Sequence, residues 1–186
     1  HRDSIEELNM FGSPDSNPDF GVEMGWQGFM CIGTSLHDEE DFEGAAGAFS
    51  EAVEICPYVA SGYLFRGMCF SALENYEKAI QDFTDAVRLD PFDQEAFIQR
   101  AICYFLVEEY SRVAGDIEKI FELGPGSSVT YYMRGCLFML EDRLDQAVRD
   151  FESALTLDPE DYDSRMNRLM VYEEGKKWGI YFPDGS

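Results

Sequence analysis

The sequence predicts an all-α protein, an α-α superhelix built from antiparallel helix pairs. Two observations lead to this prediction. Prolines recur with a 34-residue period, and between them apolar residues are spaced by 3, 4 and 7 positions within each half of the interval. A fixed period of this length indicates stacked supersecondary units, and the spacing is that of one apolar helix face. The recurring prolines, which end each pair, are Pro57, Pro91, Pro125 and Pro159.

The chain divides, in order, into an arm, four units, a closing helix and a tail. The arm, residues 1–25, is acidic and contains the turn-rich stretch SPDSNPDFG, which predicts a linker. The four units are 26–59, 60–93, 94–127 and 128–161. Residues 162–177 follow the first-helix pattern and then stop, which predicts a helix that caps the last unit. Residues 178–186 form an aromatic C-terminal tail.

Each unit is expected to contain two amphipathic helices with recurring apolar columns. In the second unit, the columns of the first helix are Tyr63, Gly67 and Phe70. Those of the second helix are Tyr76, Ala79, Phe83 and Ala86. The small residues let a neighbouring helix approach, and the aromatic residues fill the space beside them. One helix pair cannot bury such a face alone, so stacking of the units is expected.

The second unit resembles the tetratricopeptide repeat (TPR). Its sequence, residues 60–93, is ASGYLFRGMCFSALENYEKAIQDFTDAVRLDPFD. Four such units in tandem extend the resemblance over residues 26–161. The third unit departs from the pattern, because Ala101 replaces glycine, Ile120 replaces alanine, and Gly115 and Gly124 are expected to loosen its second helix. The resemblance implies a TPR solenoid whose first helices line a concave groove that receives a peptide or helix. It therefore implies a protein-binding scaffold or adaptor.

Carried over slot by slot, the resemblance places twelve mostly apolar side chains in this partner-binding groove. They are Met30, Thr34, Leu64, Phe65, Met68, Ile98, Gln99, Ile102, Tyr132, Met133, Cys136 and Met139. Further groove slots hold Gln27, Ser61, Phe105 and Val129. The core columns use other residues, so a second apolar face on the same helices favours a binding surface. Methionine adapts to varied shapes, which suits an apolar helix or extended segment as the partner.

The groove lacks the residues of one well-known TPR class. Co-chaperones of this family hold the C-terminal carboxylate of heat-shock proteins with Lys, Asn and Arg. Here the first three of those slots hold Met30, Thr34 and Phe65, and the last two cation slots hold Glu95 and Gln99. No carboxylate clamp is expected. An assembly chaperone or co-chaperone that shields a basic or hydrophobic client stays open as the alternative to a scaffold.

A second pattern links the two helices of a unit. Three arginines share one slot on the first helix, and each is followed by an aspartate at the same separation in the second helix. The first unit lacks both members of the pair. This correlation predicts structural ion pairs within the later units, namely Arg66 with Asp82, Arg100 with Asp116, and Arg134 with Asp150.

The charge balance restricts the class of partner. The chain has 14 Lys and Arg against 37 Asp and Glu, a net charge of -23, and no Lys or Arg between Arg2 and Arg66. Such a field repels phosphates, so a basic protein is expected rather than nucleic acid or an anionic membrane. No apolar run is long enough for membrane insertion, and no signal peptide is recognised. Five cysteines without metal-site spacing favour a reducing compartment, the cytoplasm or the nucleus.

Catalysis is not expected from these residues. The only histidines are His1 and His37, so a catalytic triad or a two-histidine metal site lacks its parts. No enzyme activity, cofactor or metal is therefore predicted. The tail carries Trp178, Ile180, Tyr181 and Phe182. It is expected either to cover the last unit or to occupy the groove of this or a neighbouring molecule, which would give self-association.

Overall fold

The computed structural model describes the backbone of residues 18–177 and the side chains of residues 25–175. Within these ranges the chain forms nine helices joined by short turns, with no strand, so the predicted all-α fold is confirmed. The helices are α1 (Pro18–Asp38), α2 (Phe42–Ile55), α3 (Ala60–Ala72), α4 (Tyr76–Leu89), α5 (Gln94–Leu106), α6 (Tyr110–Leu123), α7 (Ser128–Leu140), α8 (Leu144–Leu157) and α9 (Tyr162–Lys177).

The first helix begins earlier than the sequence predicted. Residues 18–25 belong to α1, so their interpretation as part of a linker was wrong. Proline fits the first turn of a helix, because its missing N–H would have no intrahelical partner there and its φ is already helical. The remainder of the predicted arm, residues 1–17, and the tail, residues 178–186, lie outside the described residues.

The two helices of each unit are joined by the same tight turn. In each turn an acidic residue has a positive φ, between 57° and 62°. These residues are Glu40, Glu74, Glu108 and Asp142. A non-glycine residue in this left-handed region costs about 1 kcal/mol. The four turns therefore share a small backbone strain.

Small residues set the close approach of the two helices in a unit. A Cβ added to Gly67 would lie 2.7 Å from the Phe83 ring, and one added to Gly135 would lie 2.7 Å from the Phe151 ring. In the third unit both members of the pair change together, because Ala101 faces the smaller Ile117. The larger residue on α5 is thus matched by a smaller residue on α6, and both are buried.

The departures in the third unit do not interrupt its second helix. α6 has 14 residues, the same length as α2, α4 and α8. Gly115 is exposed on α6 and nothing lies within 4 Å of where its Cβ would be. Gly124 follows the last residue of the helix with an extended backbone (φ 170°), which any residue adopts. The expected loosening of this helix was wrong.

Successive helices pack as an open array rather than a closed bundle. Each helix contacts the next one along the chain, and first helices also contact one another, as in the pairs α1–α3, α3–α5 and α7–α9. Successive second helices make no comparable contact in the described part of the chain. The row of first helices is therefore the inner side of the array, and the row of second helices is the outer side.

Candidate functional site: the inner surface

The three Arg/Asp pairs that the sequence singled out are brought together. Arg66 donates from Nε to Asp82 Oδ2 at 2.8 Å and from Nη2 to Asp82 Oδ1 at 2.7 Å. Arg100 with Asp116 and Arg134 with Asp150 repeat this two-pronged geometry. The hydrogen bond that Arg66 donates to Asp82 raises the pKa of the Arg66 guanidinium. Because the aspartates are buried, each pair ties the two helices of its unit.

The third guanidinium nitrogen of these arginines, Nη1, has a different partner at different junctions between units. Arg66 Nη1 donates to Ser50 Oγ of the preceding unit at 3.4 Å, and Arg100 Nη1 donates to Thr84 Oγ1 at 3.3 Å. The same slot in the third unit holds Glu118, and Arg134 Nη1 has no hydrogen-bond partner among the described side chains. The Arg134 guanidinium instead lies 4.1 Å from the centroid of the Phe121 ring.

Crevices between successive units lie along the second helices, away from the inner surface. The crevice between the second and third units has a volume of about 770 Å³ and is lined mainly by polar and charged side chains. The one between the third and fourth units, of about 630 Å³, has a more apolar lining that includes Ile117, Phe121 and Leu137. At these same two junctions, the arginine of the Arg/Asp pair differs in its hydrogen bonding to the preceding unit.

The twelve predicted groove residues are less exposed than the sequence suggested. Met133 is only 2% exposed and packs with Val113, Ile117 and Leu137, and Leu64 is buried in a cluster that joins the second and third units. Both were wrong as groove residues, because their side of the first helix faces a neighbouring helix. The other ten are partly buried: Met30, Thr34, Phe65, Met68, Ile98, Gln99, Ile102, Tyr132, Cys136 and Met139.

In the first two units, packing between units takes up the apolar inner side chains. Met30 and Phe65 pack against the cluster that contains Phe49, and the Phe65 and Phe49 rings stack with centroids 5.6 Å apart. Met68 packs against the cluster that contains Phe83. Thr34 donates its hydroxyl to the Cys31 carbonyl. These side chains leave little apolar surface for a partner in this half.

In the last two units and α9, five large apolar side chains stay exposed at predicted groove positions of the first helices or in line with them. They are Leu106 (53% exposed), Val129 (41%), Leu140 (64%), Met166 (38%) and Met170 (56%). We call these five residues the inner stripe. Leu106 follows Ile102 by four residues, and Leu140 follows Cys136 by four, so each shares a helix face with a predicted groove residue. Met166 and Met170 lie one repeat period after Tyr132 and Cys136.

Four residues of the inner stripe were missed from the sequence. Leu106 and Leu140 end their helices, and the slot comparison stopped before these last positions. Met166 and Met170 lie in the closing helix, which was interpreted only as a cap. The signal was present, because the same 34-residue offset that gave Tyr132 and Cys136 continues into α9.

A polar contact joins α7 to α9 beside the inner stripe. Asn167 Nδ2 donates to Cys136 Sγ at 3.6 Å. Burial raises the pKa of the Cys136 thiol to about 11, and burial also raises the pKa of the Tyr132 hydroxyl. The thiol is therefore neutral at physiological pH, and this contact offers neither a thiolate nucleophile nor a charge to a partner.

The slots of a carboxylate clamp hold residues that bond to each other. Gln99 Nε2 donates to Glu95 Oε1 at 2.7 Å. An acid and an amide at these positions give a bound carboxylate no cation. Within residues 25–175, no group of three or more His, Cys, Asp or Glu side chains is placed to hold a metal ion. Of the helices that the structure describes, none combines the length and apolarity needed to cross a membrane.

Two of the four units match a known family. The family model of the tetratricopeptide repeat matches residues 60–93 and 129–161, which are the second and fourth units. No curated protein matches the chain. The solved structures that resemble this chain are those of tetratricopeptide repeat proteins. Their sequence identities to it are low, so the similarity concerns the fold alone.

Three of these structures cover most of the chain. The MamA protein is 21% identical, with a TM-score of 0.73, over 84% of this chain and 84% of its own. YrrB, described as a TPR protein with an unusual peptide-binding site, is 20% identical, with a TM-score of 0.68, over 80% and 76%. MamA 41-end from Desulfovibrio magneticus RS-1 is 16% identical, with a TM-score of 0.69, over 87% and 98%. The chain therefore contains tetratricopeptide repeats, because two of its units match the family's repeat, and its described helices fold as the helical solenoid that such repeats build.

Proposed function

We propose that the chain is a non-enzymatic interaction scaffold that binds an apolar helix or extended peptide along the inner stripe. The single observation that carries this proposal is the exposure of five large apolar residues on one row of helices. The core columns are already filled, so packing within the array does not account for this surface. YrrB is described as having a peptide-binding site, which supports the same class of ligand.

Acidic side chains beside the inner stripe favour a basic partner. Exposed Glu95 lies on α5, Glu141 and Asp142 follow Leu140, and Asp163 lies one turn before Met166. The net charge of -23 adds a long-range attraction for cations. Apolar contacts would then supply most of the binding free energy, and the charges would orient the partner and speed its approach. The five free cysteines support the cytoplasm or the nucleus as the place of action.

A synthetic amphipathic helix tests the proposal. The probe is an 18-residue peptide with leucine on one face and lysine on the other, and its affinity is measured by calorimetry. Met170→Glu places a charge in the inner stripe and should weaken binding about tenfold or more, since a buried Met contributes about 1.5 to 3 kcal/mol. Phe92→Glu is the matched control, because Phe92 is 81% exposed in the turn before α5.

Three outcomes decide the result. The proposal expects the lysine probe to bind, the Met170→Glu variant to lose that binding, and the Phe92→Glu variant to keep it. A second probe with glutamate in place of lysine should bind weakly, and added salt should narrow the difference between the probes. Equal affinity of both variants for the lysine probe would contradict a site on the inner stripe.

A further inference from the structure

The last helix, α9, has an arginine at the position of the Arg/Asp pairs, but the described residues contain no aspartate that pairs with it. Arg168 stands one repeat period after Arg134, in the slot of the three arginines that bind an aspartate. In each of those three, Nε donates to the aspartate of the following helix. Arg168 Nε is buried, yet none of the described residues supplies it with a hydrogen-bond acceptor. A buried donor without an acceptor destabilises the folded state, so a missing partner is expected.

We propose that the tail, residues 178–186, packs against α9 in place of a second helix and that Asp184 is the acceptor for Arg168. Asp184 lies 16 residues after Arg168 (184 − 168), the separation found in all three bridges. Trp178 lies one repeat period after Leu144 and so continues the first apolar column of the second helices. The tail thus repeats two second-helix positions, one apolar and one charged.

The occupant of this face is an irregular segment and not a helix of the repeat type. Leu169 occupies the slot of Gly67 and Gly135, where even a Cβ would lie 2.7 Å from the ring of the second helix. A whole leucine there prevents a helix from approaching as α8 approaches α7. Leu169 is also 47% exposed, so apolar surface is left for the tail to cover. Gly179 and Pro183 suit a segment that reverses direction without forming a helix.

The tail is long enough to reach Arg168. Lys177 lies nine positions after Arg168 in α9, a rise of about 14 Å at ~1.5 Å per residue. The seven residues from Lys177 to Asp184 span up to about 23 Å when extended. The positive guanidinium and the negative carboxylate are complementary in charge, and this contact does not depend on the inner stripe.

A double-mutant cycle tests the pairing. Arg168→Gln, Asp184→Asn and the double variant are compared by thermal unfolding. Each single change should lower Tm by about 2 to 4 °C, the shift that ~1 kcal/mol gives for a chain of this size, and the double variant should fall little further. The known pair Arg134 and Asp150 is the positive control. Asp163→Asn, combined with Arg168→Gln, is the negative control and should give additive shifts.

The fluorescence of Trp178 provides a second measurement that does not depend on unfolding. In a Trp26→Phe background, Trp178 is the single tryptophan. Its emission should be blue-shifted relative to the free peptide of residues 176–186, and Leu169→Asp should shift it to the red. Phe92→Asp should leave it unchanged. Additive Tm shifts in the cycle, a solvent-like Trp178 emission, or a blue shift that disappears on dilution would each overturn the proposal, the last by indicating a second copy.

Discussion

The inner surfaces of the first two units and of the last two units differ at equivalent slots. One slot, which recurs once per repeat period, holds Asp38 and Ala72 in the first half and Leu106 and Leu140 in the second. All four side chains are exposed. The third unit replaces some core residues, as in the matched pair Ala101 and Ile117, yet both halves form the same helix pairs. The difference shows that a repeat can change its inner surface without changing its helix pairs.

The junctions between units differ in the same direction. Between the first three units, a bridging arginine also donates to a hydroxyl of the preceding unit, from Arg66 to Ser50 and from Arg100 to Thr84. Between the third and fourth, Glu118 stands in that slot, and the Arg134 side chain is 30% exposed against 19% and 15% for the other two. The C-terminal half is thus both more apolar on its inner surface and less tightly joined on its outer side.

The largest change in the free energy of unfolding is expected at the contact between a glycine and an aromatic ring, which both halves share. Gly67→Val and Gly135→Val each force a side chain into the ring of the second helix, and each should lower the free energy of unfolding by about 3 kcal/mol. Urea unfolding of both variants measures this. Gly115→Ala is the control, because this exposed mid-helix position should gain about 0.5 to 1 kcal/mol. Tolerance of valine in either half would contradict a shared core.

Breaking an Arg/Asp pair should lower the free energy of unfolding by different amounts in the two halves. Asp82→Asn leaves the partly buried Arg66 without its carboxylate and should cost about 2 to 3 kcal/mol, somewhat below the range for fully buried pairs. Asp150→Asn should cost less, because solvent screens the more exposed Arg134. Thermal unfolding compares the two. A larger cost for Asp150→Asn would contradict the looser junction in the C-terminal half.

A reciprocal exchange at the junction slot tests the same difference more narrowly. Glu118→Thr gives Arg134 the hydroxyl that Thr84 gives Arg100, and should raise the free energy of unfolding by about 0.5 to 1.5 kcal/mol. Thr84→Glu removes the hydroxyl from the tighter junction and should lower it by a similar amount. If both exchanges changed stability in the same direction, the hydroxyl bond would not distinguish the junctions.

The smallest change in stability is expected at the turns within the units, where both halves have an acidic residue with a strained, positive φ. Glu74→Gly and Asp142→Gly should each raise stability by about 0.5 to 1 kcal/mol, because glycine adopts a positive φ without steric cost. Glu74→Ala, which keeps a Cβ, serves as the control and should give no such gain. A gain confined to one turn would show that the strain is not common to both halves.

The sequence predicted the parts that depend on contacts within a unit. The 34-residue period gave the helix pairs, and the constant separation within each Arg/Asp pair placed the bridging arginine beside its aspartate. It did not predict exposure on the inner row, because that depends on the neighbouring unit. Met133 is covered by Val113 and Ile117 of the third unit. The slot comparison placed Met133 in the groove although it is buried, and it left out Met170, which faces solvent.

The start of α1 was missed for a different reason. Turn-forming residues in the stretch SPDSNPDFG suggested a linker, yet a proline at the first helical position is compatible with either a turn or a helix. Local composition alone does not separate the two. The decision depends on whether the following residues pack against another helix, and α1 contacts α2 and α3.

Amide hydrogen exchange with the leucine–lysine probe tests most directly whether the C-terminal half of the inner surface is the binding face. Bound probe should slow exchange in α7 and α9, residues 128–140 and 162–177, and leave α1 and α3 unchanged, because protection follows the helices whose side chains the probe covers. Protection centred on α1 and α3, with none in α7 and α9, would contradict the account.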